Sequence, residues 1–237
     1  MRRRFAAVLG RAVLCGAMLA VLVSPAQAAQ PAQAPAQGPE CASLENCYGY
    51  PEMQAFYDQI IVWVDEFSRA SYASMPSPDY VYVAAGTRTT TGCGSVADSL
   101  VYAFCGLDDT VYVGQDQLFE FYTTQGDAAA AVGIAHEWGH HVQWVAGIRP
   151  VDRLTLITLE NQADCIAGAW VGFVNQQGRL ETDDVDDINA ILEVIASAEG
   201  TARDHGTLAE RTASMQRGFD TGLTGCNAYF PAQPVLA

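Results

Sequence analysis

The chain of 237 residues contains no lysine: its 12 basic residues are all arginine, set against 27 aspartates and glutamates for a formal net charge of −15. Arg2, Arg3, Arg4 and Arg11 fall in the first 28 residues, which hold no acid, so the remainder carries eight arginines against 27 acids, or −19. Such a surface repels phosphate backbones and anionic lipid headgroups, and no basic patch or basic run interleaved with aromatics offsets it. Nucleic acid is therefore excluded as a partner. Long apolar runs are missing too. The stretch from Ala12 to Val23 is short of the roughly 20 residues needed to cross about 30 Å of hydrocarbon. There are no internal repeats. Histidine is scarce, with four in the chain, yet three of them lie between His136 and His141.

The short apolar stretch has a different reading. Arg2-Arg3-Arg4 precedes it and Ala26-Gln27-Ala28 follows, the layout of a secretory signal cleaved after Ala28. A membrane anchor is the alternative. Residues 1–28 are thus expected to be a signal peptide. The mature chain would be secreted, in the periplasm or outside the cell, with no stable membrane insertion after signal cleavage. Export makes sense of the cysteines: Cys15 leaves with the signal, and Cys41, Cys47, Cys93, Cys105, Cys165 and Cys226 remain. An even count in an oxidising compartment suggests bridges. The preferred set is Cys41–Cys47 and Cys93–Cys105, which close short loops, and Cys165–Cys226, which staples a helix to the chain's end. Free buried thiols are the alternative.

Residues 29–40 are rich in Pro, Ala and Gln without periodicity and read as a flexible lead-in, leaving 41–237 as one domain. Between Glu52 and Ser71, apolar residues recur at helical spacing, at Met53, Phe56, Ile60, Ile61, Val64 and Phe67. The segments 80–83, 100–104 and 110–113 are β-rich and separated by Gly, Thr and Asp turns. After Asp127 the pattern is helical, with helices expected near 127–146, 151–176 and 185–197. The fold class that follows is α+β, a small antiparallel sheet followed by a helix cluster. Asp183-Asp184-Val185-Asp186-Asp187 lacks the glycine and glutamate of an EF-hand loop and reads as acids opening a helix.

One helix carries the chemistry. In His136-Glu137-Trp138-Gly139-His140 the two histidines are four apart, so they project from one face about 6 Å apart along the axis and can share a metal ion. Glu137 follows the first ligand, where its carboxylate can reach water beside the metal rather than the metal itself; this is the zincin arrangement. Two imidazoles and a carboxylate in so apolar a helix need partners, and a single Zn²⁺ ion provides them. A metzincin continuation requires a glycine at 143 and a histidine at 146; the chain has Gln143 and Ala146. The candidates for a third ligand are Glu160 and Asp164, four apart on the next helix. Glutamate as ligand with aspartate one turn later resembles the gluzincin pattern, in which the aspartate orients a metal-bound histidine. Glu160 is accordingly assigned to the metal and Asp164 to a ligand histidine. The reverse assignment, and Cys165 as a thiolate ligand if reduced, are the alternatives.

At this point the chain resembles the bacterial neutral zinc metallopeptidase family. The resemblance rests on residues 135–143 and on residues 159–168, with Asn161 where that family usually has leucine. Support comes from Thr91-Gly92-Cys93-Gly94, Thr110-Val111-Tyr112-Val113 and His205-Gly206-Thr207 with Arg211, so that roughly 48–230 is covered. It implies a gluzincin-like zincin fold and a peptide or protein substrate. It also suggests that 110–113 is an edge strand on which extended substrate pairs, an ordinary core strand being the alternative.

The expectation is a secreted zinc peptidase, an endopeptidase in type. His136, His140 and Glu160 would hold the metal, and Glu137 would act as general base. His205, the one histidine away from the metal helix, is the candidate donor to the developing oxyanion, with a packing role as its alternative. His141 points about 100° away from His140 and reads as a packing or supporting residue. Two other function classes are kept open: a secreted binding protein that retains the metal without turnover, and a zinc hydrolase of non-peptide amides.

Overall fold

The computed structural model describes residues 47–197, 200 and 203–236. The expected signal peptide (1–28), the lead-in (29–40) and Cys41, with its expected bridge to Cys47, lie outside the described residues. After a 3-10 turn at Tyr50–Glu52, helix α1 (Met53–Ser71) buries Met53, Phe56, Ile60, Val64 and Phe67. The apolar stripe in the sequence is that buried face. Strands follow: β1 (Asp79–Val83), β2 (Thr89–Thr90), β3 (Val96–Ala97), β4 (Tyr102–Cys105) and β5 (Thr110–Gly114). The chain then continues as α2 (Gln115–Thr124), α3 (Asp127–Val145), α4 (Arg153–Gln176), α5 (Asp184–Ile195) and α6 (Leu208–Cys226). The class is α+β, with six α-helices among the described residues.

The main sheet has the order β1-β5-β4, and two expectations are corrected here. It is mixed rather than antiparallel. A tight turn after Cys105, with Asp109 at φ 51°, folds β5 back against β4, and β5 then runs parallel to β1. Alternation of apolar and polar residues marks a strand but is silent on its direction, because both pairings use the same side-chain period. The second correction concerns 110–113. Strand β5 is central and buried along its whole length, with β1 on one side and β4 on the other. It has no free edge for a substrate to join. A separate two-stranded ribbon pairs β2 with β3, and the Cys93–Cys105 disulfide joins its turn to the end of β4.

Helix α3 is apolar on nearly every side and lies at the centre, packed against α1, α2, α4, α5 and strands β4 and β5. Helix α2, hidden from the sequence pattern among aromatics and threonines, covers it with Leu118 and Tyr122. Where α3 crosses α4, a Cβ on Gly139 would sit 3.2 Å from the Ala163 backbone. That close approach sets the face bearing His136 and His140 against the face bearing Glu160. Helices α4 and α6 approach closer still. A Cβ on Gly218 would lie 1.8 Å from the Cys165 carbonyl oxygen, inside any allowed contact. The Cys165–Cys226 disulfide fastens the same pair of helices. Helix α4 starts where Asp152 and Thr155 cap each other, just after Pro150, and α6 starts at the reciprocal cap of Thr207 and Glu210. Among the described residues no helix is long and apolar enough to cross a membrane.

Candidate metal centre

Helix α3 presents His136 and His140 with ring centroids 4.7 Å apart, and α4 delivers Glu160 between them. His136 Nε2 lies 3.3 Å from Glu160 Oε2, and His140 Nε2 lies 3.6 Å from Glu160 Oε1. These three side chains form one of two groups among the described residues that are spaced to hold a metal ion.

The second nitrogen of each ring is already committed. His136 Nδ1 faces Asp164 Oδ1 at 2.9 Å, and since a carboxylate accepts, Nδ1 carries the hydrogen. His140 Nδ1 faces Gln143 Oε1 at 2.9 Å. The Gln143 amide is oriented by its own Nε2, which donates to the Leu159 carbonyl at 2.7 Å and to Gln162 Oε1 at 3.1 Å. Its oxygen is therefore the end presented to His140. Both imidazoles consequently turn their Nε2 atoms to Glu160. In the neutral ring each Nε2 is a lone pair aimed at a carboxylate, and Glu160 Oε2 is buried with no hydrogen-bond partner. Acceptors converging on acceptors require a cation or protons. Without a cation, burial opposes charge on His136, but the Asp164 carboxylate at Nδ1 and the Glu160 carboxylate beside Nε2 outweigh it and push the ring up to about 10. Burial likewise works against the Glu160 carboxylate, yet the two imidazoles hold it well below the usual range. Two nitrogens and one carboxylate oxygen are the donor set that Zn²⁺ takes, so the residues fit that ion.

Asp164 is held from the other side. Arg211 Nη2, on α6, donates to the same Oδ1 at 2.8 Å, and both side chains are almost fully buried. Asp164 thus touches the His136 ring at Nδ1, the nitrogen that does not face Glu160. His205 lies on the loop before α6, partly exposed, with Nε2 3.6 Å from Glu160 Oε2 and Nδ1 3.0 Å from Asp204 Oδ1. His141 faces away: its Nδ1 meets Asp109 Oδ1 at 2.7 Å and its Nε2 meets the Pro76 carbonyl at 2.8 Å, pinning the helix to the sheet. Glu137 lines a cleft with His136, His205 and Tyr102, whose apolar wall is formed by Phe121, Val132, Ile191, Leu192 and Ile195.

Two supporting residues escape a reading of the sequence alone. Gln143 sits three residues after His140, and that spacing is a usable signal for a partner on the same helix face. Arg211 stands out in the sequence only through the family resemblance, and its contact with Asp164 arises from the packing of α6 on α4.

Over residues 5–229 the chain matches the family described as "Putative neutral zinc metallopeptidase". The chain belongs to this family. Among curated relatives it is 35% identical over 168 residues to "Uncharacterized protein YpfJ" of Escherichia coli K12, covering 60% of this chain and 58% of that protein. It is 28% identical over 164 residues to "Uncharacterized protein Rv2575" of Mycobacterium tuberculosis, covering 56% of each. The chain thus spans less than two thirds of the length of these relatives. No solved structure matches it. Membership in a zinc metallopeptidase family suggests zinc, and the His136, His140 and Glu160 donor set agrees with that metal.

Proposed function

We propose that this chain is an exported zinc-dependent endopeptidase with a gluzincin-like site that holds one Zn²⁺ ion on His136, His140 and Glu160. The observation that carries this reading is the convergence of two oriented Nε2 atoms on a buried Glu160 oxygen that lacks a hydrogen-bond partner. When bound, the ion supplies Lewis acidity toward a peptide carbonyl and toward water. Glu137 takes the proton of the attacking water and returns it to the leaving amine. His205 donates to the oxygen that gains charge during attack. Asp164 and Gln143 fix the two ring tautomers, and Arg211 holds Asp164 in place. The apolar wall of the cleft suits an apolar substrate side chain beside the scissile bond. Export is supported by the disulfides Cys93–Cys105 and Cys165–Cys226, which persist in oxidising compartments.

The test combines metal analysis of the purified protein with a peptide-library digest by the wild type and Glu137→Gln. Stoichiometric zinc in both is expected, with turnover in the variant lower by about 10²- to 10⁴-fold. Near-normal turnover in the variant removes Glu137 from the role of base. Loss of zinc makes it a structural residue instead.

A further inference from the structure

A second group of acids lies at the opposite end of the metal-bearing helix. Asp127 opens α3, and Asp184 and Asp187 lie in the first turn of α5. One carboxylate oxygen from each lies within 4.8 Å of those of the other two. Asp127 and Asp184 are each 1% exposed. Asp127 Oδ1 accepts from the Ala128 amide at 2.8 Å, and Asp184 Oδ2 accepts from the Glu181 amide at 2.7 Å. The remaining oxygens, Asp127 Oδ2 and Asp184 Oδ1, are buried and have no hydrogen-bond partner.

We propose that Asp127, Asp184 and Asp187 bind a divalent cation of the Ca²⁺ type that ties α5 to α3.

Three considerations carry the assignment. Two helix N-termini favour nearby negative charge, and the amides of Ala128 and Glu181 absorb part of it. They reach only one oxygen of Asp127 and one of Asp184, which leaves the other oxygen of each buried and unanswered. The charges bearing most on Asp127 after its own burial are Asp184, Asp187 and Glu181, all of the same sign. Without a cation the group must hold protons: burial and those neighbours push Asp127 up to about 7, and burial, Asp187, Glu181 and Asp183 push Asp184 up to about 6. Asp187 completes the set. Its carboxylate occupies the space in which a Cβ on Gly126, at φ 106°, would fall, so a glycine before α3 makes room for it. Hard carboxylate oxygens with water filling the remaining positions suit Ca²⁺, which takes 6–8 oxygen ligands in flexible geometry. A thiolate- or imidazole-seeking metal finds no ligand in this set. The bond would matter beyond its own location, because Ile191, Leu192 and Ile195 of α5 form one wall of the cleft beside Glu137.

The test uses full-length mature protein, stripped of metals and reloaded with stoichiometric zinc so that no chelator competes during the titration. Calcium binding is measured by equilibrium dialysis with CaCl₂, together with the thermal unfolding midpoint. One calcium per chain beyond the zinc is expected, with Kd of about 10⁻⁵ to 10⁻³ M, and a midpoint that rises with calcium. Asp127→Asn and Asp187→Asn should each weaken binding at least tenfold while zinc content stays unchanged. Asp186→Asn, at an exposed position on the same helix, should leave it as in the wild type. Two results overturn the site: no calcium retained by the wild type at ~10 mM, well above the weak extracellular range, or equal binding by all three variants. An equal loss in Asp186→Asn and Asp187→Asn also overturns it, since a diffuse acidic surface would then account for the binding.

Discussion

His136 and Arg211 meet on a single atom: Asp164 Oδ1 accepts from His136 Nδ1 at 2.9 Å and from Arg211 Nη2 at 2.8 Å. The sharing sets the order of consequences when either carboxylate of α4 is removed. Glu160→Ala takes a donor from the centre itself and should empty it of zinc. Asp164→Ala leaves all three donors but frees the His136 ring, a loss worth about 10- to 100-fold in metal affinity or activity. It also strands the buried Arg211 guanidinium, at a cost of about 3–5 kcal/mol in stability. Zinc retention against a graded chelator, read beside the unfolding midpoint, separates the two. Equal zinc loss in both variants, or greater loss in Asp164→Ala, would reverse the assignment.

His205 gives a sharper discrimination. It stands 3.6 Å from Glu160 Oε2 on a partly exposed loop, close enough either to assist the reaction or to compete for the metal. If it donates to the oxyanion, His205→Ala should lower kcat by about 10²- to 10³-fold with little change in KM. Zinc content should stay at the wild-type level. A drop in zinc content would make His205 a ligand, and unchanged kcat would leave it as a packing residue.

The sequence alone was informative where the chemistry sits on one element. The His136 to His140 spacing, and the Glu160 to Asp164 spacing, each depend only on helical geometry, and α3 and α4 carry them as that geometry requires. What the sequence withheld depends on packing between elements distant in the chain. The direction of β1 relative to β5 is set by the path between them and not by either strand's residues. Arg211 reaches Asp164 only because glycines let α6 lie against α4, and neither residue announces the other. Asp184 and Asp187 read as acids that complement a helix dipole, which their place in the first turn of α5 also serves. Their company with Asp127 appears only once α5 folds against α3.

The bridge from Cys165 to Cys226 is expected to support the metal centre without touching it. Cys165 directly follows Asp164 on α4, and Gln162 on the same helix donates to the Cys226 carbonyl at 3.0 Å. Gln162 also accepts from Gln143, the residue that orients His140. Opening a loop of 61 residues should cost on the order of 4 kcal/mol by the chain-entropy model. A Cys165→Ala, Cys226→Ala double variant should therefore unfold at lower denaturant and release zinc faster to a chelator. Wild-type zinc release in a protein of reduced stability would confine the bridge to the fold.

The acid cluster of α3 and α5 predicts how stability varies with pH, and the sign follows from proton counting. An unfolded aspartate titrates near pH 3.9, whereas burial and neighbouring carboxylates push folded Asp127 up to about 7 and Asp184 up to about 6. Asp187 is raised by burial and by Asp183 and Asp186, though the Ala128 amide tempers the rise. Between these limits the folded state binds more protons than the unfolded one, so stability from this cluster is full below about pH 4 and is lost as pH rises through 6 and 7. The comparison belongs in zinc-loaded protein, where the proposed ligation would keep the imidazoles from titrating. Calcium-free wild type should show a falling unfolding midpoint from pH 5.5 to 8, and Asp127→Asn, which cannot ionise, should fall less steeply. Adding millimolar calcium at pH 8 should recover much of the lost midpoint in the wild type and little in the variant, because the cation takes the place of the protons. A wild-type midpoint that rises over this range, or the same slope in both proteins, would show that these carboxylates are not the groups that titrate.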